Sequence, residues 1–562
     1  MSWLERTDSH FRDLNLKSLW VDEAFLNISN GMNLPLYLYT LSPDCVKCPF
    51  RKFNEIAANN DTVMKIKVAR TPQMKLYYKD HEKYIFNNQS MDGIYAHIEP
   101  KMGQFGVYDW IINENEDNDF EVAKEPVPIY WSMLVVAVIV FAFYWFCKGV
   151  DRLILSRFKN TNKNTSINGP QVKKRLKSLD IFRGISIVLM IFVWYGAGFY
   201  WWLQHAVWNG LLAADIVFPW FLFIMGVCIP ISIKSQLSKN FAKIKIIKKI
   251  IKRSILLFLI GLCIFAQGVI FREVRIMNVL QRFAISYLVV CLVHVAFTKT
   301  TEVKTPQLLD DILIIWKEWI VILVILVIHL ATVFGIKIDG CDRGYVGPGG
   351  IHDDMKNALC TGGLVQYIDE KILTENHLFR WADIRSIYDA TKRFDPEGLY
   401  GSLTSIVHTM IGFQCGMTLM TFTGHKQRII RWVIWGAFMA ILTAILTFCK
   451  IEDAPIPINK QMWSLSFVTL TSATSFWLLA LIYFLVDVKN YCEDFWTIFQ
   501  YPGMNAIILY MGNAIFSSHW PFHFFVADMN THFIYLLKHC YTAAIWILAA
   551  HIMYHKKFFF NL

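Results

Sequence analysis

The sequence predicts an all-α polytopic membrane protein of about 11 transmembrane helices with a small N-terminal β-rich lumenal domain. Three observations predict it. The chain is 55% hydrophobic with a mean hydropathy of +0.37, too apolar for a soluble globule of 562 residues. Long apolar segments recur from residue 130 onward, separated by polar loops. Lys and Arg crowd into alternate loops, the mark of the cytosolic side. Residues 1–128 are read as the lumenal β-rich domain, 129–148 as the first transmembrane helix and 149–178 as a basic cytosolic linker. Residues 179–562 are read as a ten-helix membrane domain with a lumenal loop at 338–397.

The N-terminal segment is polar, with β-leaning runs such as Leu36–Leu41 and Val63–Ala69. It carries three glycosylation sequons, at Asn27, Asn60 and Asn88, and a Cys45-x-x-Cys48 pair. Together these argue for a secretory lumen. Cys341 and Cys360 bracket a Gly-rich loop, and no second CxxC or His pair completes a metal site, so structural disulfides are expected and no metal. Met1–Asn30 contains no apolar run of the signal-peptide kind, and a leader missing from the sequence is the expectation favoured over translocation drawn by the first span.

Tyr130–Cys147 is the first predicted span. The linker that follows holds nine Lys/Arg between Lys148 and Lys177, which places it in the cytosol and leaves Asn164 unglycosylated. Spans near 181–198 and 211–233 come next, then Lys234–Arg253 with eight Lys/Arg and no acidic residue, again cytosolic. The Trp194–Gly210 connection is therefore lumenal. Spans near 254–271, 279–297 and 312–337 lead to the loop 338–397, which has eleven Asp/Glu against seven Lys/Arg. Further spans are expected near 398–421, 429–449, 464–486, 500–516 and 541–554, with a lumenal N-terminus and a cytosolic C-terminus. The net charge of +11 thus reports topology, and no nucleic-acid-binding pattern is present.

Charged groups inside so apolar a chain are costly and mark sites. His205 stands in the short lumenal connection, with Asn209 four residues on and Asp215 ten on. The surrounding Trp201, Trp202 and Trp208 fit an interfacial aromatic belt; His205 fits either an interfacial or a catalytic role. Asp215 could hold its ring, or pair with Arg275 or Arg282 instead. Pro219 is expected to kink the third span. Asp180 and Arg183 share a helix face, as an ion pair or a phosphate site. Arg275, Asn278 and Arg282 are expected to form one polar stripe at the start of the fifth span, beside Gln281. Tyr501-Pro-Gly-Met-Asn505 is a broken helix start able to take an anion.

Several long strings carry a family resemblance: Arg175-Leu-Lys-Ser-Leu-Asp-Ile-Phe-Arg-Gly184, Gln204-His-Ala-Val-Trp-Asn-Gly-Leu211 and Ala214-Asp-Ile-Val-Phe-Pro-Trp-Phe-Leu-Phe-Ile-Met-Gly226. Val279-Leu-Gln-Arg282, Gly344–Ile351, Cys360–Gly363, Phe394-Asp-Pro-Glu-Gly398, Asn459–Ser466 and Tyr501–Asn505 follow in matching order. From about Lys174 to the C-terminus the chain resembles the heparan-α-glucosaminide N-acetyltransferase family of the lysosomal membrane. The resemblance implies transfer of acetyl from cytosolic acetyl-CoA to the amine of terminal glucosamine on lumenal heparan sulfate, in a dimer. The family's active-site histidine falls on His205. Where the family has an asparagine eleven residues earlier, this chain has Trp194.

On that reading His205 acts as base, or as an acyl carrier, with Asp215 and Asn209 beside it. Direct transfer with His205 as base is favoured. Arg183, Arg275, Arg282 and Asn505 are assigned to the acetyl-CoA phosphates or acceptor sulfates, and Trp201, Trp202 and Trp208 to the sugar. Two other readings stay open: a relative weakened by Trp194, and a sugar or anion transporter.

Overall fold

A computed structural model describes residues 9–86, 93–113, 119–158, 176–266, 269–298, 307, 309–380, 383–524 and 530–560. Asn88 and Asn164 lie outside the described residues, as does most of the basic linker.

The polar N-terminal segment forms two facing sheets. One orders its strands Asp119–Lys124, Val107–Ile112, Glu23–Asn30 and Asn60–Lys67, with the second and third parallel. The other orders Tyr84–Ile85, Phe50–Ile56, Leu36–Leu41, Gln73–Tyr77 and Ile94–Ile98, all antiparallel. Alternating residues bury one face of each strand, so Leu26 and Ile28 of the first sheet share a core with Leu38 and Leu76 of the second. The Asn27 amide donates to Asp109 at 3.1 Å, whereas Asn60 is exposed at a strand start. Cys45 is bonded to Cys48 and Cys341 to Cys360, so the four cysteines expected in disulfides form two.

Fifteen helices follow among the described residues: α1 (Tyr130–Phe158), α2 (Lys177–Trp194), α3 (Val217–Leu237), α4 (Lys243–Phe265), α5 (Val279–Phe297), α6 (Asp310–Leu313), α7 (Trp316–Gly335), α8 (Gly363–Leu373), α9 (Asp383–Ile387), α10 (Ser402–Thr421), α11 (His425–Thr447), α12 (Leu465–Ile482), α13 (Glu493–Met504), α14 (Ala506–Phe516) and α15 (His532–His555). A helix stands at each of the predicted spans. By length and apolarity, six of the described helices can cross a membrane, the segments containing α3, α5, α7, α11, α12 and α15. Tyr130–Ala142 and Ala506–Phe516 are shorter apolar helices.

Helix α10 is the axis of the bundle, buried almost all round. It meets α3 through glycine: a Cβ at Gly226 would lie 2.2 Å from the Thr409 carbonyl, and one at Gly412 2.3 Å from that of Phe223. Backbones this close demand small residues, as membrane helix pairs commonly do.

Three sequence expectations are corrected. Pro219 sits in the first turn of α3, where its missing N–H breaks no helical bond, and Pro230 lies inside the helix instead. Arg275 precedes α5 rather than sharing its face, because Asn278 caps the helix, its side chain accepting from the Leu280 N–H at 3.2 Å. The tenth predicted span is two helices, α13 and α14, meeting at Asn505.

Candidate functional site

After α2 the chain turns through left-handed backbone at Gly196, Ala197, Gly198 and Phe199. The Gly198 N–H donates to His539 Nδ1 at 2.8 Å and its carbonyl contacts His532 Nδ1 at 2.8 Å, fixing the turn on α15. The chain then runs through His205 to the short helical turn Ala213–Ile216 that leads into α3. Asp215, with no solvent exposure, closes this loop: one carboxylate oxygen accepts from the Ala206 and Leu212 N–H groups at 3.1 and 3.0 Å. The other lies 2.8 Å from His205 Nδ1. A carboxylate only accepts, so in the neutral ring this contact puts the proton on Nδ1 and leaves the Nε2 lone pair as the free base.

Lys460 completes the cluster, its Nζ 3.5 Å from Asp215 and 2.8 Å from His205 Nδ1; an ammonium only donates, so with the Nδ1 proton turned to Asp215 the approach to the ring is a charge contact and Asp215 is the ion-pair partner. It arrives on a distant segment clipped to the His205 loop. Asn209 and Asn459 form a β-bridge, and the Gly210 N–H donates to the Ile458 carbonyl at 2.8 Å. The His205 side chain is 43% exposed, toward the cavity it lines, and the protein packed around it lowers its affinity for a proton; Lys460 lowers it further, Asp215 opposes both, and the balance is below the ordinary histidine value.

His205, Lys460 and Glu397 line one end of a cavity of about 750 Å³. Its wall takes a single face of each neighbouring helix: Arg183, Ile187, Met190 and Trp194 of α2, and Leu280, Phe283 and Tyr287 of α5. Along α3 it runs from Val217 to Ser232, sixteen residues or roughly 22 Å of helix. Arg183 and Arg253 stand in this wall toward the Ser232 end. The Arg183 guanidinium is 3.5 Å from Asp180 and donates to the Gly503 carbonyl at 3.3 Å. Arg253 lies 4.8 Å over the Tyr287 ring, with a buried Nε that has no hydrogen-bond partner. A second cavity shares Arg183, Cys228 and Ser232 and adds Lys234 and Ser235.

Of the residues singled out in the sequence, the structure joins His205 to Asp215 and places Arg183 on the cavity wall. The others, Trp194 apart, lie elsewhere. Asn209 donates to Glu452 at 2.7 Å and accepts from Asn459 at 3.2 Å, which spends its amide on the clip. Arg275 pairs with Asp395 and Glu397. Arg282 is buried, donates to the Gly398 carbonyl at 3.1 Å and lies 4.9 Å over the Trp463 ring. Asn505 holds the C-terminal tail, donating to the Phe558 carbonyl at 3.0 Å. Trp208 is buried against Phe394, Trp202 stacks on Tyr130, and Trp201 lies under Arg70. Trp194 is on the wall, edge-on to Tyr510. Lys460 and Glu397 were missed, although each is the lone charge inside a motif string quoted for the resemblance or shares it with one other.

Residues 175–338 match the sequence profile of a family described as heparan-alpha-glucosaminide N-acetyltransferase, catalytic. The whole chain is similar to the heparan-alpha-glucosaminide N-acetyltransferase of Mus musculus, with 33% identity over 98% of this chain and 90% of the relative. The Homo sapiens protein of the same name gives 32% identity over the same shares. At that identity, over nearly the full length of both chains, this protein belongs to the heparan-α-glucosaminide N-acetyltransferase family, a family of transferase enzymes.

Proposed function

We propose that the protein transfers acetyl from acetyl-CoA to the amine of a terminal glucosamine of heparan sulfate, with His205 as general base, across the lysosomal membrane. The observation that carries this reading is the cavity along α3, with arginines toward one end and a histidine–aspartate pair at the other. Roughly 22 Å of lined helix is most of the hydrocarbon thickness of a bilayer, so a donor entering from one compartment reaches an acceptor in the other.

The residues present fit the donor. Arg253 has a buried nitrogen without a partner, and Arg183 and Lys234 stand nearby as counter-charges for phosphate. The apolar stretch between, Phe218, Phe221 and Met225 among its lining, excludes water that would otherwise take the acetyl group. His205 Nε2 then accepts the amine proton, and Asp215 holds the ring and stabilises the imidazolium. Direct transfer needs no covalent carrier, whereas an acetyl-histidine route would use the same nitrogen.

About eleven crossings, a lumenal N-terminus and a cytosolic C-terminus belong to the same proposal, supported by the alternation of basic loops, and the family resemblance adds a homodimer. A second reading, weakened catalysis, is favoured by Trp194, whose ring occupies the wall of the cavity. Purified protein given radiolabelled acetyl-CoA and glucosamine separates them. Labelled N-acetylglucosamine from the native chain and none from His205→Ala supports the enzyme; no product from the native chain, with product from Trp194→Asn, supports the second reading.

A further inference from the structure

The cavity end that holds His205 carries two charged side chains, Lys460 and Glu397, and they are not equivalent. Lys460 is paired with Asp215, its Nζ 3.5 Å from Oδ1, and stands beside the His205 ring. Glu397 comes from the Phe394–Gly398 turn, whose shape is set by Asp395, which accepts the Glu397 N–H at 3.0 Å. Arg275 binds both acids, but unequally: Asp395 takes its Nε at 2.9 Å and its Nη2, while Glu397 takes Nη2 through Oε2. One guanidinium thus serves two carboxylates, and Oε1 of Glu397 is left outside that bond.

Burial alone would push the Glu397 carboxyl up, yet Arg275, Lys460 and Arg282 together hold it below the usual range, so it is ionised. Arg275 engages Oε2 alone, so this nearly buried carboxylate on the cavity wall keeps Oε1 to offer to a cation entering the cavity. An amino sugar supplies one, because an amine of the α-amino kind is largely protonated near pH 7. Lys460 repels such an ammonium and Glu397 attracts it.

We propose that Glu397 is the acceptor-binding residue, receiving the substrate amine as its ammonium and presenting it to His205. This rests on the acetyl-transfer reading above. The steps balance: His205 Nε2 takes one ammonium proton, and the freed nitrogen pair forms the C–N bond to the thioester carbonyl. The C–S bond then breaks and the leaving thiolate takes the second nitrogen proton. The proton on His205 returns to solvent. Glu397 stays ionised throughout and steers the next amine in.

Kinetics of the full-length protein in detergent test this, with Glu397→Gln and Glu397→Asp. Glu397→Gln is expected to raise the KM for glucosamine about 10- to 100-fold, the loss of one charge-assisted hydrogen bond, with the KM for acetyl-CoA unchanged. Thermal-shift titration should show the native chain preferring glucosamine to uncharged glucose and the Gln variant losing that preference. If Glu397→Gln fails to fold, Glu397→Asp serves instead, with a smaller rise confined to glucosamine. An unchanged KM for glucosamine, or an equal rise for both substrates, overturns the proposal. A native chain that forms no product but binds glucosamine over glucose through Glu397 overturns the acetyl-transfer reading and leaves this site standing.

Discussion

His205 Nδ1 lies 2.8 Å from Oδ1 of Asp215, a wholly buried carboxylate whose second oxygen accepts two backbone N–H groups of the same loop. One residue therefore fixes both the tautomer of His205 and the loop that carries it. Asp215→Asn keeps the shape but offers an amide donor to Nδ1, favouring the wrong tautomer. The expected fall in kcat is about 10²- to 10⁴-fold with little change in either KM. Steady-state kinetics with both substrates check this; a fall under about threefold would remove Asp215 from the machinery.

The pH profile gives a second check with opposite signs for two partners. Burial and Lys460 lower the proton affinity of His205, so the acidic limb of kcat/KM should lie below the ordinary histidine value of about 6.5. Lys460→Met removes a lowering charge, and the limb should move to higher pH. Asp215→Asn removes a raising charge, and what activity remains should show a limb at lower pH. Movement in the same direction for both would contradict the electrostatics of this site.

On the proposed reading Arg183 and Arg253 serve the donor, not the acceptor. Arg183→Ala should raise the KM for acetyl-CoA about tenfold and leave that for glucosamine unchanged, the loss of one charged hydrogen bond. Initial-rate measurements with each substrate varied in turn distinguish the two. Equal effects on both constants would point to a packing role through Gly503 instead.

The α3–α10 crossing makes a stability prediction. A Cβ on Gly412 would lie 2.3 Å from the Phe223 carbonyl oxygen, whereas one on Gly335 meets nothing within 4 Å. Gly412→Ala should cost about 1–3 kcal/mol through overpacking, and Gly335→Ala should be close to neutral. Thermal unfolding in one detergent compares them.

The N-terminal sheets reach the site through His532, whose Nε2 is 2.7 Å from Asp22 while Nδ1 contacts the Gly198 carbonyl. His532→Ala should loosen both, costing about 1–3 kcal/mol and freeing the turn that leads to His205. Limited proteolysis should then cut between the sheets and α2 sooner than in the native chain, with a reduced kcat.

The sequence made the helices legible because bilayer thickness imposes long apolar runs, and every predicted span has a helix. His205 and Asp215 were legible as a pair because they are ten residues apart in one connection. Lys460 was not, since 255 residues separate it from His205 and the clip around the Asn209–Asn459 bridge brings it near. Glu397 was hidden in the same way, on a turn whose purpose shows only when Arg275 folds against it. The arginines were misread for a local reason. A spacing of three and four residues implies one helical face only if the helix has begun, and Asn278 starts it after Arg275. Trp208 and Asn209 look like substrate contacts beside a catalytic histidine, but each is spent on holding loops together.

Transfer between compartments is tested most directly in sealed proteoliposomes, with protein orientation established by protease protection, radiolabelled acetyl-CoA outside and glucosamine trapped inside. Labelled N-acetylglucosamine should accumulate in the lumen of the vesicles, at a rate abolished by His205→Ala and without entry of acetyl-CoA. Product formed only when donor and acceptor share one side of the membrane would contradict it.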